Sequence, residues 1–240
     1  SETQEKGGLC MRNENQFETL YEDGHIIVCI KPAGVPVETR KTGTPDMLSL
    51  LRNYFSPSKA PHLSIIHRLD QPVEGLLVFA KTLTAARALN RQLQEDGFGK
   101  EYLAVTCGFL PHSSGKLTDY LVKDGRNNLS QVCPENTPLA KYAELSYQVT
   151  AKDREANLSL VHVTLKTGRH HQIRVQLAHA GAPLWGDSKY NPEFVHAPGY
   201  HPIALCAFRL RFLHPISRKP LEFEIIPHGP GFTHFMETVS

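Results

Sequence analysis

Ile65-Ile66-His67-Arg68-Leu69-Asp70-Gln71-Pro72-Val73-Glu74-Gly75 runs directly into the apolar stretch Leu76-Leu77-Val78-Phe79-Ala80. One carboxylate, Asp70, follows a basic pair and precedes a turn punctuated by Pro72 and Gly75, with a buried strand expected on either side. A loop between rigid elements can hold a side chain at a cleft, and the flanking strands limit its freedom. A random Arg-x-Asp at a loop is more often an ordinary surface ion pair. The rest of the chain decides between the two.

The chain has 240 residues, 40% of them hydrophobic, enough for a substantial core. We expect one domain over residues 16–240 behind a polar, mobile leader at residues 1–15. The formal net charge is +2 and the pI about 8.2, so a nucleic-acid surface has to come from local clustering. Cys10, Cys29, Cys107, Cys133 and Cys206 are scattered, without paired metal spacing, and read as reduced packing residues. No stretch approaches the roughly 20 apolar residues of a membrane span. Residues 1–6 lack the pattern of a signal peptide. An intracellular, cytoplasmic protein is expected, with an organellar one after leader removal left open.

A first strand is expected at His25–Ile30, stopped by Lys31-Pro32-Ala33-Gly34. Asp46–Phe55 reads as a helix capped by Asp46, with Leu48, Leu51 and Phe55 on one face. Between Thr82 and Asp96, Leu83, Ala86, Leu89 and Leu93 form a helical core stripe, with Arg87, Arg91 and Gln92 off it, until Gly97 and Gly99. Lys100–Gly108 is a strand whose alternation puts Tyr102 and Ala104 opposite Leu103 and Val105. Leu117–Val122, Tyr142–Thr150 and Leu158–Leu165 read as an antiparallel meander with a turn at Asp124–Asn128.

The second informative stretch is Lys166-Thr167-Gly168-Arg169-His170-His171-Gln172-Ile173-Arg174-Val175-Gln176-Leu177-Ala178-His179. A short helix from His170 would place Ile173 and Leu177 on one face and Arg174 beside them, where an arginine can meet a carboxylate. The three histidines lack a carboxylate or thiolate at ligand spacing, so no metal is expected. Between Lys166 and Lys219 the bases Lys166, Arg169, Arg174, Lys189, Arg209, Arg211, Arg218 and Lys219 face only the acids Asp187 and Glu193. Such a polarised basic half suits a phosphate backbone. Ile203–Phe212 reads as a strand with Phe208, Leu210 and Phe212 inward and Arg209 and Arg211 outward, followed by a shorter strand at Leu221–Ile226.

The ordered series His67-Arg68-Leu69-Asp70, Gly75–Thr82, Lys100-Glu101-Tyr102-Leu103-Ala104 and Gly168–Leu177 resembles the RluA family of RNA pseudouridine synthases. Lys31-Pro32-Ala33-Gly34, Gly186-Asp187 and Leu213-His214-Pro215 are similar to family signatures in the same order. The resemblance covers nearly everything from residue 20 onward. It implies an α+β pseudouridine synthase fold: a large mixed, mostly antiparallel sheet with flanking helices and a central catalytic cleft.

The activity implied is isomerisation of uridine in RNA to pseudouridine, with RNA as the partner and neither metal nor small-molecule cofactor. Asp70 matches the family's catalytic aspartate, and a carboxylate suits a nucleophile or a stabiliser of positive charge at the sugar. Arg174 matches its basic partner, expected to lower the pKa of Asp70 against desolvation and to hold it in a fork. Tyr102 matches the tyrosine that would stack on the detached uracil. Arg68 matches the residue expected to help displace the target base, which has to leave its stack. His67, Arg169 and His171 are further candidates for substrate contact.

Two departures stand out: Val73-Glu74 before Gly75, where many members carry Thr-Ser, and His170-His171, where Thr-His is more usual. Glu74 would raise the pKa of Asp70 or repel phosphate. With so short a leader, no S4-type domain is expected ahead of the catalytic domain. The competing readings are a synthase-fold RNA-binding or assembly factor without turnover, and a glycosidic hydrolase, for which Asp70 with Glu74 is a poor carboxylate pair. A protein partner that delivers substrate is left open.

Overall fold

The computed structural model describes residues 17–55, 57 and 61–239. The leader at 1–15, and residues 56 and 58–60 of the Pro- and Ser-containing link, lie outside the described residues. In chain order the elements are β1 (Glu18–Glu22), β2 (Ile26–Lys31), α1 (Met47–Tyr54), β3 (Ser64–Ile65), β4 (Glu74–Ala80), α2 (Leu83–Gln94), β5 (Gly99–Cys107), β6 (Ser114–Asp124), β7 (Leu129–Cys133), β8 (Lys141–Asp153) and β9 (Leu158–Leu165). They continue with α3 (Gln172–His179), α4 (Pro192–Val195), β10 (Leu205–Leu213), β11 (Pro220–Glu224), a 3-10 turn (Pro230–Phe235) and α5 (Met236–Val239).

The strands form one 11-stranded sheet in the order β1-β2-β4-β10-β5-β9-β8-β6-β7, with β3 on β4 and β11 on β10. β10 runs parallel to β4, pairing Cys206 with Glu74 and Ala207 with Gly75. The other ladders among the described residues are antiparallel. This is the mixed, mostly antiparallel sheet that the resemblance implies.

Strand alternation sorts the apolar residues onto two faces. Ile27, Cys29, Leu77, Phe79, Tyr102, Ala104, Val161 and Val163 pack with Leu48 and Leu51 of α1 and Ile173 and Leu177 of α3. On the other face Ile26, Val28, Leu76 and Val78 pack with Ala85, Ala86 and Leu89 of α2. Leu103, Val105, Leu158 and Leu160 there meet Phe232 and Phe235 of the 3-10 turn. The sides assigned to Tyr102 and Leu103 from alternation are therefore the observed ones.

Local chemistry sets the helix starts. Asp46 caps α1 by accepting from Ser49 N at 2.8 Å while Ser49 Oγ accepts from Asp46 N at 3.0 Å, a reciprocal box. Thr82 Oγ1 caps α2 by accepting from Ala85 N at 3.1 Å.

Three expectations need correction, and two strands had no expectation attached. Leu83 opens α2 on its solvent side and is 55% exposed. Gln92, placed off the stripe, is buried because its amide exchanges two 2.8 Å hydrogen bonds with the backbone of Leu213. The strands β1 and β7 went unread: ETLYE is an edge strand that buries little, and LSQVC is short. Finally, Arg209 and Arg211 are not free basic groups. The buried Glu101 carboxylate accepts from Arg209 at 3.2 Å and Arg211 at 2.8 Å, and Arg209 also meets Glu224 at 2.8 Å.

Gly75 is where β4 meets β10. Its φ is +149°, and a Cβ there would lie 2.5 Å from the Ala207 Cβ and 2.6 Å from the Ala207 nitrogen. Gly75→Ala is expected to destabilise the fold by about 3 kcal/mol in urea unfolding through overpacking. An unchanged midpoint would mean that this junction opens without strain.

Candidate active site

Between β3 and β4 the chain passes along a cleft. Val73 N donates to the Asp70 carbonyl at 3.0 Å, closing the turn. The loop is anchored by Lys31, fully buried at the end of β2, whose Nζ donates to the carbonyls of Pro32 (2.9 Å), Val35 (2.6 Å) and Gln71 (2.8 Å). Gly34 N also donates to the Gln71 carbonyl, at 2.9 Å. The Lys-Pro-Ala-Gly turn thus pins the residue next to Asp70. Burial pulls the Lys31 ammonium down to about 7, with the Asp70 and Glu74 charges opposing the shift.

The opposite wall comes from α3. Gln172 ties the preceding turn to the sheet: its Oε1 accepts from Arg169 N at 2.9 Å and Thr167 Oγ1 at 2.7 Å, and its Nε2 donates to the Glu144 carbonyl at 3.1 Å. His171 enters the helix in the left-handed region, φ 54° and ψ 25°. One turn later Arg174, 2% exposed, points back toward Asp70.

The cleft has a volume of about 380 Å³, and its lining includes Arg68, Asp70, Lys100, Tyr102, His171 and Arg174. The side chain of Asp70 is 26% exposed, and its Oδ2 accepts from Arg174 Nη1 at 3.3 Å. His171 Nε2 stands 3.9 Å from the same oxygen. Arg174 does not spend its fork on Asp70. Nε and Nη2 instead donate to Asp187 Oδ2 and Oδ1 at 3.0 and 2.8 Å, and Asp187 is fully buried. The expected fork therefore exists with a different carboxylate, and Asp70 receives the one remaining edge.

The pKa of Asp70 follows from this geometry. Burial pushes it above the ordinary carboxylate value, Arg174 acts against the shift and Asp187 adds to it, leaving the net direction upward. Arg174 lowers the pKa as expected, but it does not offset the desolvation: burial outweighs it, and the Asp187 charge adds to the rise. Glu74 is not the offending neighbour. Its Oε1 accepts from His228 N at 3.0 Å and Gly229 N at 3.1 Å, holding the C-terminal segment.

The structure gathers Asp70, Arg174, Tyr102 and His171 around the cleft. Tyr102 is 7% exposed, and burial raises its phenol pKa further with help from the Asp70 charge. His67 contributes its ring to the wall, but its Nε2 accepts from Val78 N at 3.1 Å, and burial, with Lys100 nearby, holds it down to about 3. Arg68 stands exposed at the rim, paired with Glu38 at 2.8 Å. Arg169, also exposed, donates from Nε to the Tyr142 carbonyl at 2.8 Å. Among the described residues no three His, Cys, Asp or Glu side chains converge on a common metal position.

Asp187 and Tyr190 escaped the sequence reading as site residues. Besides Arg174, Asp187 accepts from Lys189 N at 2.9 Å and Tyr190 N at 3.3 Å. A rare acid in a basic stretch was the available signal, since one buried arginine needs one buried carboxylate.

Fold and cleft together place the chain among the pseudouridine synthases. Residues 25–179 match the family model described as RNA pseudouridylate synthase. Human RNA Pseudouridylate Synthase Domain Containing 4 has the same fold, with a TM-score of 0.75 at 22% identity over 91% of this chain and 92% of that one. Human RNA Pseudouridylate Synthase Domain Containing 1 gives 0.72 at 23% identity over 89% and 84%. The ribosomal large subunit pseudouridine synthase D of Vibrio parahaemolyticus is 35% identical over 89% of this chain and 67% of its own length. That of Neisseria meningitidis serogroup B is 36% identical over 87% and 57%. An uncharacterised RNA pseudouridine synthase of Bacillus subtilis is 32% identical over 84% and 66%.

The chain belongs to the RNA pseudouridylate synthase family, and within it to the RluA type. The reaction of that family is the isomerisation of uridine in RNA. The chain spans between 57% and 67% of the length of these three curated relatives. No helix among the described residues is long and apolar enough to cross a membrane.

Two outcomes follow from the ion pairs. Asp187→Asn leaves a buried guanidinium without its counter-charge, so it is expected to lower stability by about 3 kcal/mol in urea unfolding. Arg174→Lys replaces a three-way donor by a point charge and should reduce turnover roughly 100-fold. Unchanged stability or turnover, respectively, would contradict these assignments.

Proposed function

We propose that this chain converts uridine to pseudouridine in RNA at the cleft around Asp70, with Asp70 as the group that acts on the ribose. The observation that carries the reading is a partly shielded carboxylate, 26% exposed, whose Oδ2 lies 3.3 Å from an arginine already neutralised by a second, fully buried aspartate. A carboxylate so placed is oriented without being tied in a tight ion pair, which leaves it free to react.

The isomerisation breaks the bond between uracil N1 and ribose C1′, turns the base and forms a bond from C5 to C1′. Asp70 in its ionised form serves as nucleophile toward the sugar or as counter-charge to it. Tyr102 presents a flat apolar face on which uracil stacks while detached. The target nucleotide has to leave its stack to reach the cleft, and Arg68 at the rim, exposed on a flexible stem, supplies a planar group for the space it vacates. Arg169 and His171 line the opposite wall and complete the substrate contacts. His67 acts through the loop it braces. The names of the bacterial relatives make large-subunit ribosomal RNA the first substrate to offer.

Replacing C5–H by C5–C1′ releases the C5 hydrogen to water. With RNA carrying tritium at uridine C5, the unmodified protein is expected to release tritium and Asp70→Asn to release at least 1000-fold less, an order typical for losing a covalent catalyst. RNA retention on a filter should change little. Undiminished release by Asp70→Asn would remove Asp70 from the chemistry.

The raised pKa of Asp70 has two further signs to check. The reactive carboxylate is lost as pH falls through its folded-state pKa, so the acid limb of kcat/KM should lie above the range of an ordinary carboxylate, about 4. Holding that charge in the cleft also opposes folding at neutral pH, because the unfolded chain ionises more readily. Asp70→Asn should therefore melt at or above the temperature of the unmodified protein, and a lower melting temperature would show that the charge stabilises the fold.

A further inference from the structure

We propose that Tyr190 is a positioning residue that fixes His171 as the neutral tautomer with its proton on Nε2. His171 and Arg174 then both present donors to Oδ2 of Asp70, leaving Oδ1 as the oxygen that meets the ribose. The proposal rests on Asp70 being the reacting carboxylate.

The tautomer follows from counting protons. The phenol oxygen of Tyr190 accepts from Ser130 N at 2.9 Å. The same oxygen lies 2.6 Å from His171 Nδ1. The Ser130 amide supplies its own proton, so the phenol proton needs an acceptor, and Nδ1 stands in hydrogen-bond range to take it. A nitrogen that accepts carries no proton, and a neutral imidazole then carries its proton on Nε2. Neutrality is enforced by the surroundings: burial first, then the Arg174 charge and His170, hold His171 down to about 2.

The ring is clamped in this orientation. His170 stacks on it with centroids 3.7 Å apart and planes at 22°. His170 is itself held by Ser130 Oγ at 2.7 Å and Asn128 Oδ1 at 2.9 Å. The left-handed backbone at His171, a conformation histidine adopts more readily than most residues, turns the ring toward Tyr190 on one edge and Asp70 on the other. Flipping the ring would forfeit the 2.6 Å bond. Nε2 is 3.9 Å from Asp70 Oδ2, longer than a hydrogen bond, while Arg174 Nη1 reaches the same oxygen at 3.3 Å. The second donor gains weight when RNA fills the cleft and removes water from Asp70, since catalytic contacts tighten in the loaded enzyme. His170, where the family more usually has threonine, thereby has a use: it stacks against the histidine that faces Asp70.

The test begins on the unmodified protein. Nitrogen-15 NMR of labelled histidine reports the tautomer directly and needs no catalysis, so it stands apart from the assignment of Asp70. His171 is expected to show an unprotonated Nδ1 and a protonated Nε2 across neutral pH. Tyr190→Phe keeps the ring beside Arg174, whose guanidinium lies 5.2 Å from its centroid. It removes the phenol proton and should shift His171 toward the other tautomer.

In tritium release, Tyr190→Phe should lower kcat about tenfold with KM for RNA unchanged, and should move the acid limb of kcat upward, since Asp70 in the loaded enzyme loses its second donor. The other groups facing Asp70, namely Arg174, Asp187, Lys31, Lys189 and Tyr102, stay in place in this variant. His171→Gln, whose amide also donates, should retain more activity than His171→Leu. A protonated Nδ1 in the unmodified protein would overturn the proposal. So would a Tyr190→Phe protein with altered tautomer but unaltered kcat and acid limb.

Discussion

The buried pair of Arg174 and Asp187 is the interaction on which the site depends. Each charge alone would be costly to bury, and together they are tolerable because the remaining hydrogen-bonding capacity is also used. Asp187 takes two donors from Arg174 and two backbone N–H groups from Lys189 and Tyr190. The pair ties the first turn of α3 to the segment leading toward β10. It also fixes the one guanidinium edge that faces Asp70. Had Arg174 given both edges to Asp70, that carboxylate would be a well-paired, low-pKa structural group.

The loop that carries Asp70 is held by groups whose own polar atoms are occupied with backbone. Lys31 gives Nζ to three carbonyls and His67 receives a backbone proton. Burial depresses the charged form of both groups. The Asp70 side chain is thus fixed through its main chain on one side and through Arg174 on the other. The carboxylate itself keeps a partly open environment in an otherwise well-satisfied region, the usual tension between a stable scaffold and a usable site.

Much of the fold was legible because burial imposes a period. Tyr102 and Ala104 against Leu103 and Val105, or Ala86 and Leu89 on α2, announce their faces by spacing alone. Where burial is slight the signal fades, as in β1, whose residues alternate between exposed and half-buried. A polar side chain that satisfies a distant backbone, as Gln92 does for Leu213, leaves no local trace. The same limit applied at the site. Asp70, Arg174, Tyr102 and His171 stood out by motif, but the partition of Arg174 between two carboxylates is a property of three-dimensional approach. Glu74, suspected as a neighbour of Asp70, is drawn away by backbone donors more than 150 residues along the chain.

β10 lies between β4 and β5 in the sheet, although it is among the last strands in sequence. Until Leu205–Leu213 has been synthesised, β1-β2-β4 and β5-β9-β8-β6-β7 have no shared ladder, and they remain two half-sheets joined by α2. During translation the two walls of the cleft are held on separate pieces, and late-forming contacts of this kind slow folding. The growing chain therefore carries the two halves of its cleft as unmated surfaces until β10 is made, the interval in which a chaperone has most to shield.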